Sequence, residues 1–196
     1  MTKFLIFKHK HIDTVKDLWL NTFSENLLSI IGQKMIRSYL INFLKNQENK
    51  GFLLFHQNKM IAFVLFGSEK KIIKKIFLSN FVIIIFSFIK LFFFLEIKKI
   101  ITYFNVLIFL FLSNNKFEIK NKNTELLIIV VDKNYQGKGF GQKLIKFSLR
   151  DNYFENLKTI YVKTLDNTNT KVKFYKKNGF KYKHKIFNRT YLELKT

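Results

Sequence analysis

The sequence predicts an α/β (α+β) fold, and three observations carry that expectation. Short apolar runs of strand length alternate along the chain with longer segments whose apolar residues recur at helical spacing. The run Glu125–Val131 is nearly continuous in apolar residues, as expected of a strand covered on both faces. It leads through a glycine-rich turn at 136–141 into a helical pattern. A chain of 196 residues can bury a sizeable core, and 48% hydrophobic residues with 17% aromatics exclude disorder. We expect one domain over 1–196, with an apolar helical insertion at about 70–115.

The elements follow in order. Phe4 to Lys8 is strand-like, and Asp13 is placed to cap a helix running to about Phe23, with Val15, Leu18, Trp19 and Phe23 facing a core. A second helix is expected from about Leu27 to Phe43, since Ile31, Met35, Tyr39 and Phe43 recur every fourth residue. Phe52–Phe55 and Met60–Phe66 flank the polar His56-Gln57-Asn58-Lys59 and read as a hairpin ended by Gly67. Beyond the insertion, a helix spans Phe140–Arg150, a strand Thr159–Lys163 and a short helix Thr170–Lys177. Asn178-Gly179 caps that last helix, and strands Phe180–Phe187 and Tyr191–Leu194 close the chain.

The insertion is the unusual part. Ile76 to Leu95 carries Lys90 as its only charge and is long enough to suggest a membrane span. Yet Ser79, Asn80, Ser87, Lys90 and Lys98 fall within an arc of about 100° at the helical period, which fits an amphipathic helix better. Ile100 to Leu112 is too short to cross a bilayer, and Asn114 to Asn123 reads as a polar loop. Helices covering the domain, a peripheral membrane face and a span are the three readings, in that order.

The net charge of +22 suggests an anionic partner. Abundant Lys, Asn, Ile and Phe with no Pro is also the pattern of an A+T-rich genome, which makes a chain basic without any partner. An anionic membrane surface is the second reading. Nucleic acid is not expected, because neither an arginine run nor an aromatic-basic RNA motif is present. The absence of cysteine excludes disulfides, thiolate metal sites and cysteine nucleophiles. His9 and His11 would share a strand face, but no third ligand stands near in sequence, so no metal is expected. Met1 to Lys8 lacks a secretory apolar stretch, so a cytoplasmic protein, or one at the inner face of the membrane, is expected.

The chemistry concentrates at Gln136-Gly137-Lys138-Gly139-Phe140-Gly141. Amides at a helix N-terminus lack intrahelical partners, and the helix dipole adds partial positive charge there. Glycines let a diphosphate approach those amides, and Lys138 adds Coulombic attraction. The spacing lacks the Lys-Ser or Lys-Thr of a P-loop and the third glycine position of a dinucleotide fingerprint. The plain alternative is a tight strand-to-helix turn with no ligand.

Here the chain resembles the GNAT superfamily of acyl-CoA N-acyltransferases. Val131 to Gly141 is similar to its acetyl-CoA-binding motif, with Gln136, Gly139 and Gly141 at the signature positions, and Lys173-Phe174-Tyr175-Lys176-Lys177-Asn178-Gly179-Phe180 is similar to its F-Y-x-x-x-G-F element. The clear resemblance covers residues 125 to 194. It implies a mixed, mostly antiparallel sheet, splayed in the middle and flanked by helices. It further implies acetyl-CoA as acyl donor, held by Ile129, Val130, Val131, Gln136, Gly137, Lys138, Gly139, Phe140 and Gly141.

The resemblance also implies roles in catalysis. Tyr175 would donate a proton to the departing thiolate, or else be an aromatic packed in the core. The family often has Asn where Thr168 stands, and flanking Asn167 or Asn169 would take over the cofactor contact. Glu125 is the candidate general base, because a partly buried carboxylate can have a raised proton affinity; a solvated or salt-bridged strand-end Glu is the alternative. His184 is a further residue that could approach the substrate. The first half and the insertion look like GNAT proteins of surface-polysaccharide synthesis, which implies an amino-sugar nucleotide as amine acceptor. A protein or peptide amine, and a non-catalytic membrane-associated binding module, are the alternatives. A homodimer and peripheral membrane contact remain open as partners.

Overall fold

The computed structural model describes residues 1–23, 27–68, 72–73, 75–76, 79–93, 101, 123–165, 169–186 and 189–196. It divides into two compact units, Met1–Phe7 with Gln47–Glu69 and Ile119–Thr196, and Lys8–Asn46 with Lys70–Glu118.

Among the described residues the first unit holds seven strands: β1 (Thr2–Ile6), β2 (Lys50–His56), β3 (Lys59–Gly67), β4 (Asn123–Val131), β5 (Thr159–Leu165), β6 (Lys181–Ile186) and β7 (Arg189–Lys195). Their order in the sheet is β1-β2-β3-β4-β5-β7-β6. Every neighbouring pair is antiparallel except β4 and β5, so the sheet is mixed and mostly antiparallel, as expected. Gln57 and Asn58 make the β2–β3 turn with positive φ of 48° and 62°, the backbone a two-residue hairpin needs.

β4 and β5 pair only from Asn123 to Leu126 and from Thr159 to Val162. The ladder between β3 and β4 skips Leu127, a bulge at the point where β4 leaves β5. Beyond it β4 pairs with β3 alone, which is the splay. The helix of Phe140–Ser148 packs on β2, β3 and β4, and that of Asn169–Lys177 on β5 and β6. Leu126, Ile160, Val162 and Leu192 join Leu144, Ile145, Tyr175 and Phe180 in one core cluster. Side chains alternate along strands, so Glu125, Tyr161, Lys163, Tyr191 and Glu193 stand on the opposite face.

The second unit contains α1 (Ile12–Thr22), α2 (Leu27–Ile31), α3 (Gln33–Leu44) and α4 (Phe81–Phe93); the two helices on the sheet are therefore α5 (Phe140–Ser148) and α6 (Asn169–Lys177). Trp19 of α1 meets Tyr39 of α3 edge to face at 5.5 Å. Three expectations are corrected here. Asp13 lies inside the first turn of α1, whose cap residue is His11; its carboxylate pairs with Lys16 and Arg37 instead. The helix expected over Leu27–Phe43 is two helices, because Gly32 has φ 123° and ψ 173°, which breaks the helical path. His9–His11 form a 3-10 turn, not a strand, and His11 Nδ1 accepts the Lys8 amide at 3.1 Å.

Of the polar stripe of the insertion, Ser79 is exposed, while Asn80 and Ser87 are half-buried and face other helices of this unit. The Asn80 amide donates to Ser38 Oγ at 3.1 Å, and the Ser87 hydroxyl to the Ile83 carbonyl at 2.8 Å, with a long contact to the Ile31 carbonyl at 3.4 Å. Val82, Ile85, Phe86 and Ile89 are exposed. Among the described residues, no helix is long and apolar enough to cross a membrane. Lys98, the run Ile100–Leu112 apart from Ile101, and the loop expected at 114–123 apart from Asn123 lie outside the described residues, as do the Lys90 side chain, Asn167 and Thr168.

Candidate active site

The turn after β4 is built by local chemistry. Asp132 opens a 3-10 turn over Lys133–Tyr135, its carboxylate accepting the Asn134 amide at 2.9 Å and the Lys59 ammonium at 3.1 Å. The Asn134 amide, with Lys59 beside it, holds that carboxyl below the usual range. The Gln136 side-chain amide donates to the Val131 carbonyl at 2.8 Å, so Gln136 braces the turn against the strand end.

The three glycines of the motif do different work. Gly137 and Gly139 have φ of 74° and 78°, a region that L side chains enter at a cost, and a Cβ at either would meet only open space. Gly139 is the cap residue of α5, and the first intrahelical bond runs from the Lys143 amide to its carbonyl. The amides of Phe140, Gly141 and Gln142 therefore precede the helical ladder, beside an unobstructed approach. That arrangement fits a diphosphate. Gly141 is buried, and a Cβ there would stand 3.2 Å from the Phe174 ring and 3.4 Å from Val131. Its glycine serves packing, and it brings the helix after the turn against the residue preceding Tyr175.

Aromatic and basic side chains surround the turn. Tyr135 and Phe140 meet with ring centroids 5.8 Å apart, and His56 of β2 lies 5.9 Å and 5.5 Å from them. Lys138 and Lys59 stand over the Tyr135 ring at 5.6 Å and 5.9 Å, and Lys143 over Phe140 at 5.3 Å. In the sequence alone His56 reads as part of a hairpin turn, and Lys143, one helical turn beyond Gly139, carries no motif signal.

Tyr175 is buried in the core cluster, edge-on to Phe174 at 5.3 Å and Phe180 at 5.7 Å. Burial pushes its phenol far above the ordinary value, so it keeps its proton at neutral pH. The α6 carbonyls behind it are tied off by Gly179, with φ 89°, and by the Phe180 amide donating to Tyr175 at 3.1 Å. Asn169 is the first residue of α6.

Glu125 is buried at the start of β4, and its Oε1 lies 2.8 Å from Lys163 Nζ on β5. The lysine partner was not foreseen. Ile129 to Val131 lie on β4 beyond its last rung with β5. His184 stacks on Tyr191 at 4.6 Å, and its burial lowers the proton affinity of the ring. Among the described residues, no group of three or more acidic or histidine side chains could hold a metal ion.

A splayed mixed sheet with a glycine-rich turn leading from its central strand into a helix defines an α/β fold whose turn is suited to a phosphate-bearing ligand. Residues 93–182 match the family of acetyltransferase (GNAT) domains. The chain is also similar to the PaiA N-acetyltransferase from Thermoplasma acidophilum in complex with coenzyme A (TM-score 0.61, 12% identity, covering 100% of this chain and 99% of that one). A ribosomal-protein alanine N-acetyltransferase from Escherichia coli gives 0.60 at 12% identity, covering 100% and 94%. A GNAT-family acetyltransferase from Staphylococcus aureus gives 0.61 at 12%, covering 100% and 99%. No curated protein gives a significant match. Residues 93–182 are thus similar to GNAT acetyltransferase domains, and the chain as a whole shares the fold of these acetyltransferases, one of which was solved with coenzyme A.

Proposed function

We propose that the chain acetylates a primary amine by direct attack within a ternary complex. The observation that supports this most is the contact between the two motifs: Gly141, at the start of α5, packs against Phe174, the neighbour of Tyr175. That contact supports a common site for the turn and the candidate proton donor. Acetyl-CoA, when bound, supplies the acetyl group as a thioester, whose C–S bond breaks as a C–N bond forms.

The chain's own groups then have distinct tasks. Gly137 and Gly139 leave the first-turn amides of α5 open to a diphosphate, and Lys138 adds a cation. The β4 edge from Ile129 to Val131, which has no β5 partner, offers backbone groups to an extended ligand arm. Tyr175 keeps its proton at neutral pH and is assigned as the donor to the departing thiolate, although burial makes its phenol a weaker acid than a free one. Glu125 receives the proton released by the amine, and Asn169, the first residue of α6, is a further ligand contact.

The acceptor we favour is an amino-sugar nucleotide, whose anionic diphosphate suits a chain of net charge +22. A titration of thermal stability with acetyl-CoA tests the enzyme reading. Stabilisation in the micromolar to millimolar range is expected, and none at millimolar concentration would overturn it. An acceptor screen with labelled acetyl-CoA, covering amino-sugar nucleotides, polyamines and peptides, then tests the acceptor.

A further inference from the structure

The chain has 35 lysines and arginines but 13 acidic residues, and two of those carboxylates share one rung of the sheet. Glu125 of β4 stands opposite Tyr161 of β5, which stands opposite Glu193 of β7. Each carboxylate is joined to a lysine at 2.8 Å, Glu125 to Lys163 and Glu193 to Lys183. Lys183 also lies 4.5 Å over the Tyr161 ring, and its ammonium donates to that phenol at 3.3 Å.

The two pairs differ in burial. The side chains of Glu193 and Lys183 are 23% and 33% exposed, those of Glu125 and Lys163 only 7% and 19%. A buried ion pair rarely repays its desolvation, and two apolar residues would hold the strands as well. The pair also sits where the sheet opens. The last rung between β4 and β5 joins Leu126 to Val162, and Lys163 is the next residue, already in the splay.

We propose that Glu125 and Lys163 form the acceptor-recognition pair, and that it selects an amine carrying a carboxylate or phosphate group of its own. An incoming ammonium takes Glu125, and the acceptor's anion takes Lys163. Two ion pairs then replace one, and such an acceptor brings one positive and one negative group to the pair together. An amine without an anion would bring a second cation beside Lys163 with no second anion. A polyamine would add positive charge beside Lys163, Lys183 and Lys181, which stands opposite Glu193. Lys163 is thus a specificity-determining residue at the site proposed above, and this inference rests on that reading.

The test uses the full chain, labelled acetyl-CoA and two matched pairs of acceptors. Glucosamine 6-phosphate against glucosamine probes a phosphate, and alanine against alaninamide probes a carboxylate. In at least one pair the anionic member should be preferred tenfold or more in kcat/KM. Lys163→Met should raise KM for that member at least tenfold more than for its neutral counterpart, and Lys163→Arg should restore the preference. Equal rates within both pairs, or an equal loss for both members in Lys163→Met, would overturn the proposal. So would a chain that acetyl-CoA stabilises but that neither binds nor acetylates either anionic amine. Failure of acetyl-CoA to stabilise the chain would instead remove the acetyltransferase reading itself. The same thermal measurement on both variants verifies that they fold.

Discussion

The two ends of β4 carry the two halves of the proposed chemistry, and they are built on opposite principles. At its C-terminal end the work is done by backbone, with Gly137 and Gly139 in left-handed conformations before the first-turn amides of α5. At its N-terminal end it is done by side chains, with the Glu125 carboxylate and the Lys163 ammonium in contact and mostly buried. A site made of backbone tolerates change in the side chains around it but not in its glycines. A site made of a buried ion pair tolerates loss of both partners better than loss of one.

That contrast can be broken most severely at Glu125. Glu125→Gln leaves Lys163 buried beside an uncharged amide and should cost about 3 kcal/mol, read as a lower denaturation midpoint. The double replacement Glu125→Gln with Lys163→Met should recover most of that loss; no recovery would show that the pair does not act as a unit. Next in size is Tyr175→Phe, which should lower kcat about 100-fold while leaving acetyl-CoA affinity nearly unchanged. An equal loss of both would remove the proton-donor role.

At the other end, Gly139→Val forces a β-branched residue to φ 78° and should weaken acetyl-CoA binding about tenfold, for a strain of about 1–2 kcal/mol. Gly141→Ala should act differently, by pushing the Phe174 ring, so that turnover falls more than affinity. The smallest effect concerns Asp132, whose proton affinity is lowered in the fold. Its contribution to stability is present above pH 3.8, the ordinary carboxylate value, and is lost as pH falls through the lowered folded value. Asp132→Asn should flatten that acid limb of the unfolding curve.

The same contrast explains what the sequence could and could not reveal. The turn at 136–141 was legible because its backbone demands glycine, and Asn178-Gly179 was legible for the same reason. Leu144 and Ile145 of α5 were readable from their spacing and lie buried as expected. Lys163 was not legible. One lysine among so many basic residues carries no local signal, and its partner is set by the register of two strands over 30 residues apart in the chain. The break at Gly32 was missed because Ile31, Met35, Tyr39 and Phe43 keep fourfold spacing across it, so periodicity outvoted the glycine. Asp13 was misread as a cap because its type suits that position, whereas its carboxylate is engaged by Lys16 and Arg37.

The joint between β3 and β4 has a consequence for how this architecture tolerates change. β3 ends at Gly67 and β4 begins at Asn123, so residues 68–122 are, for the sheet, one connection between adjacent antiparallel strands. The entropy of closing a loop rises only with the logarithm of its length, about 0.6 kcal/mol per doubling. Cutting that connection to a quarter would therefore gain the sheet only about 1 kcal/mol. Length at this joint is thermodynamically cheap, and a whole helical segment can be gained or lost there while the registers that align Glu125 with Lys163 and the turn with α5 stay as they are.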